Sequence, residues 1–404
     1  MSSFSPAREL HAGKSSLQRL SHMKQDVALN QSNRLLGLEA IRFCSAFAVL
    51  IWHYQHFSFV AYRPTHFHTA QQPFYPALRL FYEYGFYGVQ VFWCISGFIF
   101  FWKYGAPIAG TLVSAKQFFV LRFSRLYPLH VTTLLLVALL QLIYFHSHHY
   151  YFVNPNNDSR HFFLQIFLAS QWGFERGYSF NSPIWSISVE VLIYVFFFGM
   201  VRLLGTSPAI NLMVLFACVI LRKMRIESPV IECLAFFYSG GLAALALQHF
   251  EKTGYHLFIK ALSIGIAVLA PLIVYISDTR WPQYVTYLAL IAYVPTVLYG
   301  IANNLRADPT ARHVIDLAGS VTYSSYLIHF PLQLVIALGF TYFNEPIPFY
   351  NPWFFIAFII TTFACSVLAY RYVEMPAQAY IRNKWSAPHA ASLGWGPPNW
   401  IRLR

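Results

Sequence analysis

Ten apolar runs recur along this chain of 404 residues, most of them close to the length that crosses a bilayer as an α-helix. They lie near 36–60, 84–102, 127–146, 184–204, 209–221, 229–249, 257–277, 284–302, 319–342 and 353–373. The pattern predicts an all-α protein, a polytopic transmembrane bundle of about ten helices. The 209–221 run is the shortest, and 161–172 reads as an interfacial or re-entrant helix. Composition agrees: 11% of residues are charged, where a soluble domain carries about 25%.

The net charge of +13 invites a nucleic-acid reading, but its distribution argues for a membrane. With the N-terminus inside, 18 of the 28 Lys and Arg fall on the cytoplasmic side and eight outside. That is the positive-inside bias. Only Arg222, Lys223 and Arg225 run against it locally. The expected layout is a polar cytoplasmic tail over 1–33, a transmembrane domain over 34–376 and a second cytoplasmic tail over 377–404. The first tail lacks the apolar core of a signal peptide, so helix one directs insertion. The five cysteines lie in apolar runs without CxxC spacing and read as packing residues.

Charge inside helix one marks the first candidate site. Arg42 and His53 are eleven positions apart and project from nearly one face, roughly 16 Å apart at 1.5 Å per residue. Glu39 shares that face, three residues before Arg42. Either end residue alone could snorkel to water. The three together imply a polar cavity, because ionisable groups in hydrocarbon are costly. His53 has the chemistry of a general base or an acyl carrier, and Glu39 can hold Arg42 in place.

Three further segments carry polar groups on helical spacing. Arg122-Phe-Ser-Arg125, placed in a basic loop before helix three, fits a phosphate or pyrophosphate, though arginine at an inner interface is also ordinary. In Ser182-Pro-Ile-Trp-Ser-Ile-Ser-Val-Glu190, Ser182 and Pro183 signal a helix start, and Ser186, Glu190 and Tyr194 then share a face. Glu190 is a candidate to orient His53, act as acid or base or contact a sugar hydroxyl, or else to pair with an arginine. In Tyr323-Ser-Ser-Tyr-Leu-Ile-His-Phe-Pro331, Ser325, Tyr326 and His329 share another, as interhelical glue or as substrate contacts. Phe92-Trp-Cys-Ile-Ser-Gly-Phe98 adds a small-residue notch suited to close packing. His146-Ser-His-His149 lacks the companions of a metal site, and no metal is expected.

Taken in order, LEAIR with Arg42-x10-His53, VFWCISGFIF, FVLRFSRLYP, SPIWSISVE, YSSYLIHFP and YVEMP resemble the acyltransferase-3 family of integral membrane acyltransferases, over residues 34–376. Many of its members O-acetylate bacterial surface glycans. The resemblance implies a cytoplasmic acyl-CoA donor, commonly acetyl-CoA, and a hydroxyl acceptor on a saccharide or lipid-linked glycan. It implies a bacterial inner membrane and no permanently bound cofactor. His53 corresponds to the family's catalytic histidine, and Arg42 to its partner. Arg122 and Arg125 correspond to the donor-binding pair, and Glu190 with Ser186 and Ser188 to a motif near the acceptor. Glu39 stands where Asp is usual, and Ala40-Ile41 replace Gly-Leu; the charge is kept. A transporter of acyl groups or lipid-linked sugars would also use polar groups within the bundle, and it is the competing class.

Overall fold

A computed structural model describes residues 36–60, 63–277, 283–302 and 307–385. The expected tail over 1–33 lies outside them, as does 386–404 of the second. Twelve helices are described: α1 Leu36–Ser58, α2 Tyr75–Ala109 and α3 Ala115–His148; α4 Ser159–Ile166, α5 Ile184–Leu204, α6 Pro208–Lys223 and α7 Pro229–Phe250; α8 His256–Ser277, α9 Gln283–Ile301, α10 Pro309–Ser320 and α11 Thr322–Tyr342; and α12 Pro352–Trp385. The strands among the described residues are two short ones, Phe59–Val60 paired antiparallel with Arg63–Pro64.

Nine of these helices are long and apolar enough to cross a bilayer. The protein is an all-α, multi-pass membrane bundle. The sixteen-residue α6 is shorter, yet it too traverses the bundle, for a directional reason. On α2 and α5, Trp93 meets Ser186, Phe100 stacks on Tyr194 and Phe101 meets Phe197, so the two helices run the same way. Gln90–Glu232 and Phe101–Gly241 show that α7 runs that way as well. The connection from the end of α5 to the start of α7 must therefore return across the bundle, and α6 is that connection.

Local chemistry sets most helix starts. Ser207, Ser228, Asp308 and Asn351 each accept from backbone N–H groups of the first turn, and each is followed by proline at the first helical position. Ser182-Pro183 breaks this rule. Pro183 is itself the flanking residue of α5 and Ser182 makes no side-chain cap. Its backbone carbonyl instead accepts from Trp185 N–H at 3.0 Å. Helix α3 starts twelve residues before the apolar run near 127, because a reciprocal Ser114–Gln117 capping box nucleates a polar first segment. Arg122 and Arg125 thus lie within a helix, not in a loop. The segment 377–385 is helical and continues α12. Of the 161–172 segment, only the part within α4 is helical.

Packing between α2 and α7 is backbone on backbone. A methyl group at Gly97 would overlap the Phe237 carbonyl, and one at Gly240 would overlap that of Cys94. Lipid tails are as apolar as side chains, so such close approach supplies the association that hydrophobicity cannot. The notch read in the sequence serves this packing. The five cysteines are free thiols.

Candidate functional site

A cleft of about 110 Å³ opens among α1, α2, α3, α5 and α11. Arg42, Arg122 and Arg125 line it together with Ser96, Glu190, Tyr194, Ser186 and Tyr326. Arg42 donates to both Glu39 oxygens, at 2.8 and 2.6 Å. Glu39 in turn packs on Gly319 of α10, where any Cβ would displace it. Arg125 is within electrostatic reach of Glu374 and Glu39. Arg122 donates to Tyr104 Oη at 2.5 Å, and its guanidinium lies 5.0 Å from the ring centroids of both Phe100 and Tyr104. Burial of this kind fits a weakly hydrated guanidinium better than an ammonium.

Deeper along α5, Tyr194 donates to Glu190 Oε1 at 2.7 Å, and Ser96 reaches the same carboxylate. Ser186 and Tyr326 share a hydroxyl–hydroxyl bond of 2.8 Å that ties α5 to α11. The 186/190/194 stripe therefore faces the cleft, as its spacing predicts. Ser188 does not. Two residues on, about 200° around the helix, its Oγ accepts from Gln171 N–H and its carbonyl from Trp172 Nε1. It fastens the loop before α5.

His53 is 7% exposed and lies outside the cleft lining. Its Nδ1 faces the Val49 carbonyl at 2.9 Å. An N–H there leaves Nε2 as the base. Two more imidazoles pack on it, His56 at 4.8 Å and His329 at 4.9 Å between ring centroids. Gln333, one turn after His329, donates to the His53 carbonyl at 2.8 Å. His329 is 6.2 Å from the Tyr326 ring, so Tyr326 and His329 stand between the cleft and His53. His56 Nδ1, His329 Nε2 and Gln333 Oε1 are buried with no hydrogen-bond partner among the described residues. Buried polar atoms of this kind ordinarily meet water or a ligand.

One proline shapes this end. Pro331 has no N–H for the Leu327 carbonyl four residues back. That carbonyl accepts instead from Asn181 Nδ2, at 3.0 Å.

Sequence reasoning missed His56, Gln333, Lys103, Tyr104 and Arg382 and gave Glu374 no role. His56 and Gln333 follow His53 and His329 at i+3 and i+4, a spacing that marks shared faces. His146, His148 and His149 hold no metal-like group; His148 stacks on Tyr144, with ring centroids 3.9 Å apart. Among the described residues there is no cluster of three or more His, Cys, Asp or Glu able to hold a metal ion.

Arginines, a carboxylate and hydroxyls converge on an internal cleft of a multi-pass helical bundle. The family model described as an acyltransferase domain matches residues 35–371, and the chain belongs to the acyltransferase-3 family. It is a membrane acyltransferase. Comparison with the curated proteins and with the solved structures finds no match.

Proposed function

We propose that the protein transfers an acyl group, in the first instance acetyl, from cytoplasmic acyl-CoA to a hydroxyl of a saccharide or lipid-linked glycan. The observation that carries this reading is the polarity of the site along its length. Arginines gather at one end, and three imidazoles sit at the other end of α1. The positive-inside bias assigns the arginine end, with both termini, to the cytoplasm, where acyl-CoA is made. A bacterial inner membrane is the matching location.

In this reading Arg122 and Arg125 bind the CoA phosphates by charge-assisted hydrogen bonds. The pantetheine arm runs along the cleft past Glu190 toward Tyr326. Arg42, held by Glu39, fixes the wall of the channel. The acceptor hydroxyl approaches from the imidazole end. Its oxygen bonds to the acyl carbon as the carbon–sulfur bond breaks. Its proton passes to His53 Nε2 and then to the departing CoA thiolate. Tyr326 and His329, which separate cleft from base, must move aside or hold the reacting groups between them. Glu190, Tyr194 and Ser186 order the cleft wall where the thioester lies. Ser188 acts on the loop and not on the substrate.

The test is complementation of a strain lacking the protein, with ester-linked acyl content of its surface glycan as the readout. Wild type restores the ester, and His53→Ala at equal membrane abundance does not. Restoration by both variants would remove His53 from the chemistry. Restoration by neither would redirect the acceptor to a lipid, peptide or small molecule, to be followed with labelled acyl-CoA.

A further inference from the structure

Beyond the cleft lining, at its arginine end, stand two more cations. Lys103 follows Ile99 and Phe100, the last lining residues of α2, by about one turn. Its Nζ lies 5.9 Å from the Tyr104 ring centroid, the ring that Arg122 also covers. Arg382, near the end of α12, donates from Nε to Ser124 Oγ at 3.2 Å, between Arg122 and Arg125 in sequence. Lys103 is within electrostatic reach of Arg122, Arg382 and Arg125. Three helices thus bring four cations together. Both Lys103 and Arg382 are half-buried, unlike snorkelling surface side chains.

The backbone is adapted to this gathering. A π-helical turn over Phe101–Gly105 carries Lys103 and Tyr104, and another over Tyr370–Glu374 carries Glu374. Such turns shift the face that later residues present, and they recur at functional sites. The cations also outnumber their counter-charges. Glu374 acts on Arg125 and Arg382, while Glu190 lies deeper and Glu39 is taken by Arg42. Among the described residues, none of the four forms an ion pair within 4.0 Å. Half-buried like charges repel, so the arrangement favours a polyanion.

Resting on the reading that the donor is acyl-CoA, we propose that Lys103 and Arg382 form a subsite for the 3′-phosphate of its nucleotide, while Arg122 and Arg125 hold the diphosphate. The order of groups decides the assignment. Along CoA run thioester, pantetheine, diphosphate and then the phosphorylated ribose. Along the protein run Tyr326 and Glu190, then Arg122 and Arg125 in the lining, with Lys103 and Arg382 flanking those arginines outside it. A phosphate monoester carries nearly two negative charges at neutral pH, which suits the pair outside the lining.

Equilibrium binding to the purified full-length protein in nanodiscs tests this, with CoA and 3′-dephospho-CoA as the probes. Wild type should bind CoA about ten-fold more tightly than 3′-dephospho-CoA, the scale of one charge-assisted contact. The Lys103→Ala/Arg382→Ala variant should lose that preference while its affinity for 3′-dephospho-CoA stays within about two-fold. Lys103→Gln alone, checked for monodisperse elution, should lose part of it and covers a double variant that fails to fold. Equal binding of both probes by wild type, or an undiminished preference in the variants, overturns the subsite and leaves the donor reading standing. Binding of neither probe by folded wild type overturns the donor reading and the subsite with it.

Discussion

The two ends of the site solve the same problem, polar groups inside a membrane, in opposite ways. At the arginine end, charge is held by other charge and by aromatic faces: Glu39 on Arg42, Phe100 and Tyr104 around Arg122, Ser324 on Glu374 at 2.7 Å. At the imidazole end there is no formal charge to neutralise while the rings are neutral. His53, His56, His329 and Gln333 pack together, and three of their buried polar atoms have no hydrogen-bond partner among the described residues. Under the proposed reaction, the difference means that one end holds a permanent anion and the other exchanges a proton with a neutral hydroxyl. Binding and chemistry should therefore separate under mutation.

The sharpest break is His53→Ala. Loss of a general base costs about 10²–10⁴-fold, so acyl transfer should fall by that factor while CoA binding by calorimetry is unchanged. A parallel loss of CoA binding would merge the two ends into one. Next, Arg122→Lys should weaken CoA binding by about ten-fold, because a lysine keeps the charge but neither forks to phosphate nor stacks on Phe100 and Tyr104. Retained affinity would show that charge alone suffices there. Gln333→Leu should lower transfer by about ten-fold with CoA affinity intact, since it removes a donor worth about 1 kcal/mol from the His53 carbonyl and a polar wall from the acceptor. Its steady-state kinetics should show the loss when the acceptor, not the donor, is varied. Smallest is Ser188→Ala, which should cost about 1 kcal/mol of thermal stability through the Gln171 contact and leave both kinetic constants alone. A selective rise in acceptor KM would return Ser188 to the substrate.

Much of this was legible because hydrocarbon imposes simple rules. Apolar run length located the helices, whereas the one cap-then-proline start read from the sequence, Ser182-Pro183, is not a cap in the structure, and the same pattern at Ser207, Ser228, Asp308 and Asn351 went unread. Hydropathy failed where a helix is polar: it missed the first turns of α3, which the Ser114–Gln117 box creates, and so left Arg122 and Arg125 in a loop. Helical spacing found Ser186, Glu190 and Tyr194 on the cleft face, and the same spacing puts Ser188 on the opposite one. Arg42 and His53 were expected to share one cavity. They share a face of α1, yet Arg42 lines the cleft while His53 packs on His329, because α11 packs against α1 there. Contacts such as Arg382 with Ser124 join residues 258 positions apart, and no local pattern in the sequence announces them.

The carbonyl released by Pro331 joins two parts of the chain that lie far apart in sequence. Through Asn181, the loop ahead of α5 is pinned to the turn of α11 that carries His329. Under the proposed reaction, with the acceptor arriving at this end, reshaping that loop would pull on the helix beside His53, and loop grafts should carry their own α11 with them.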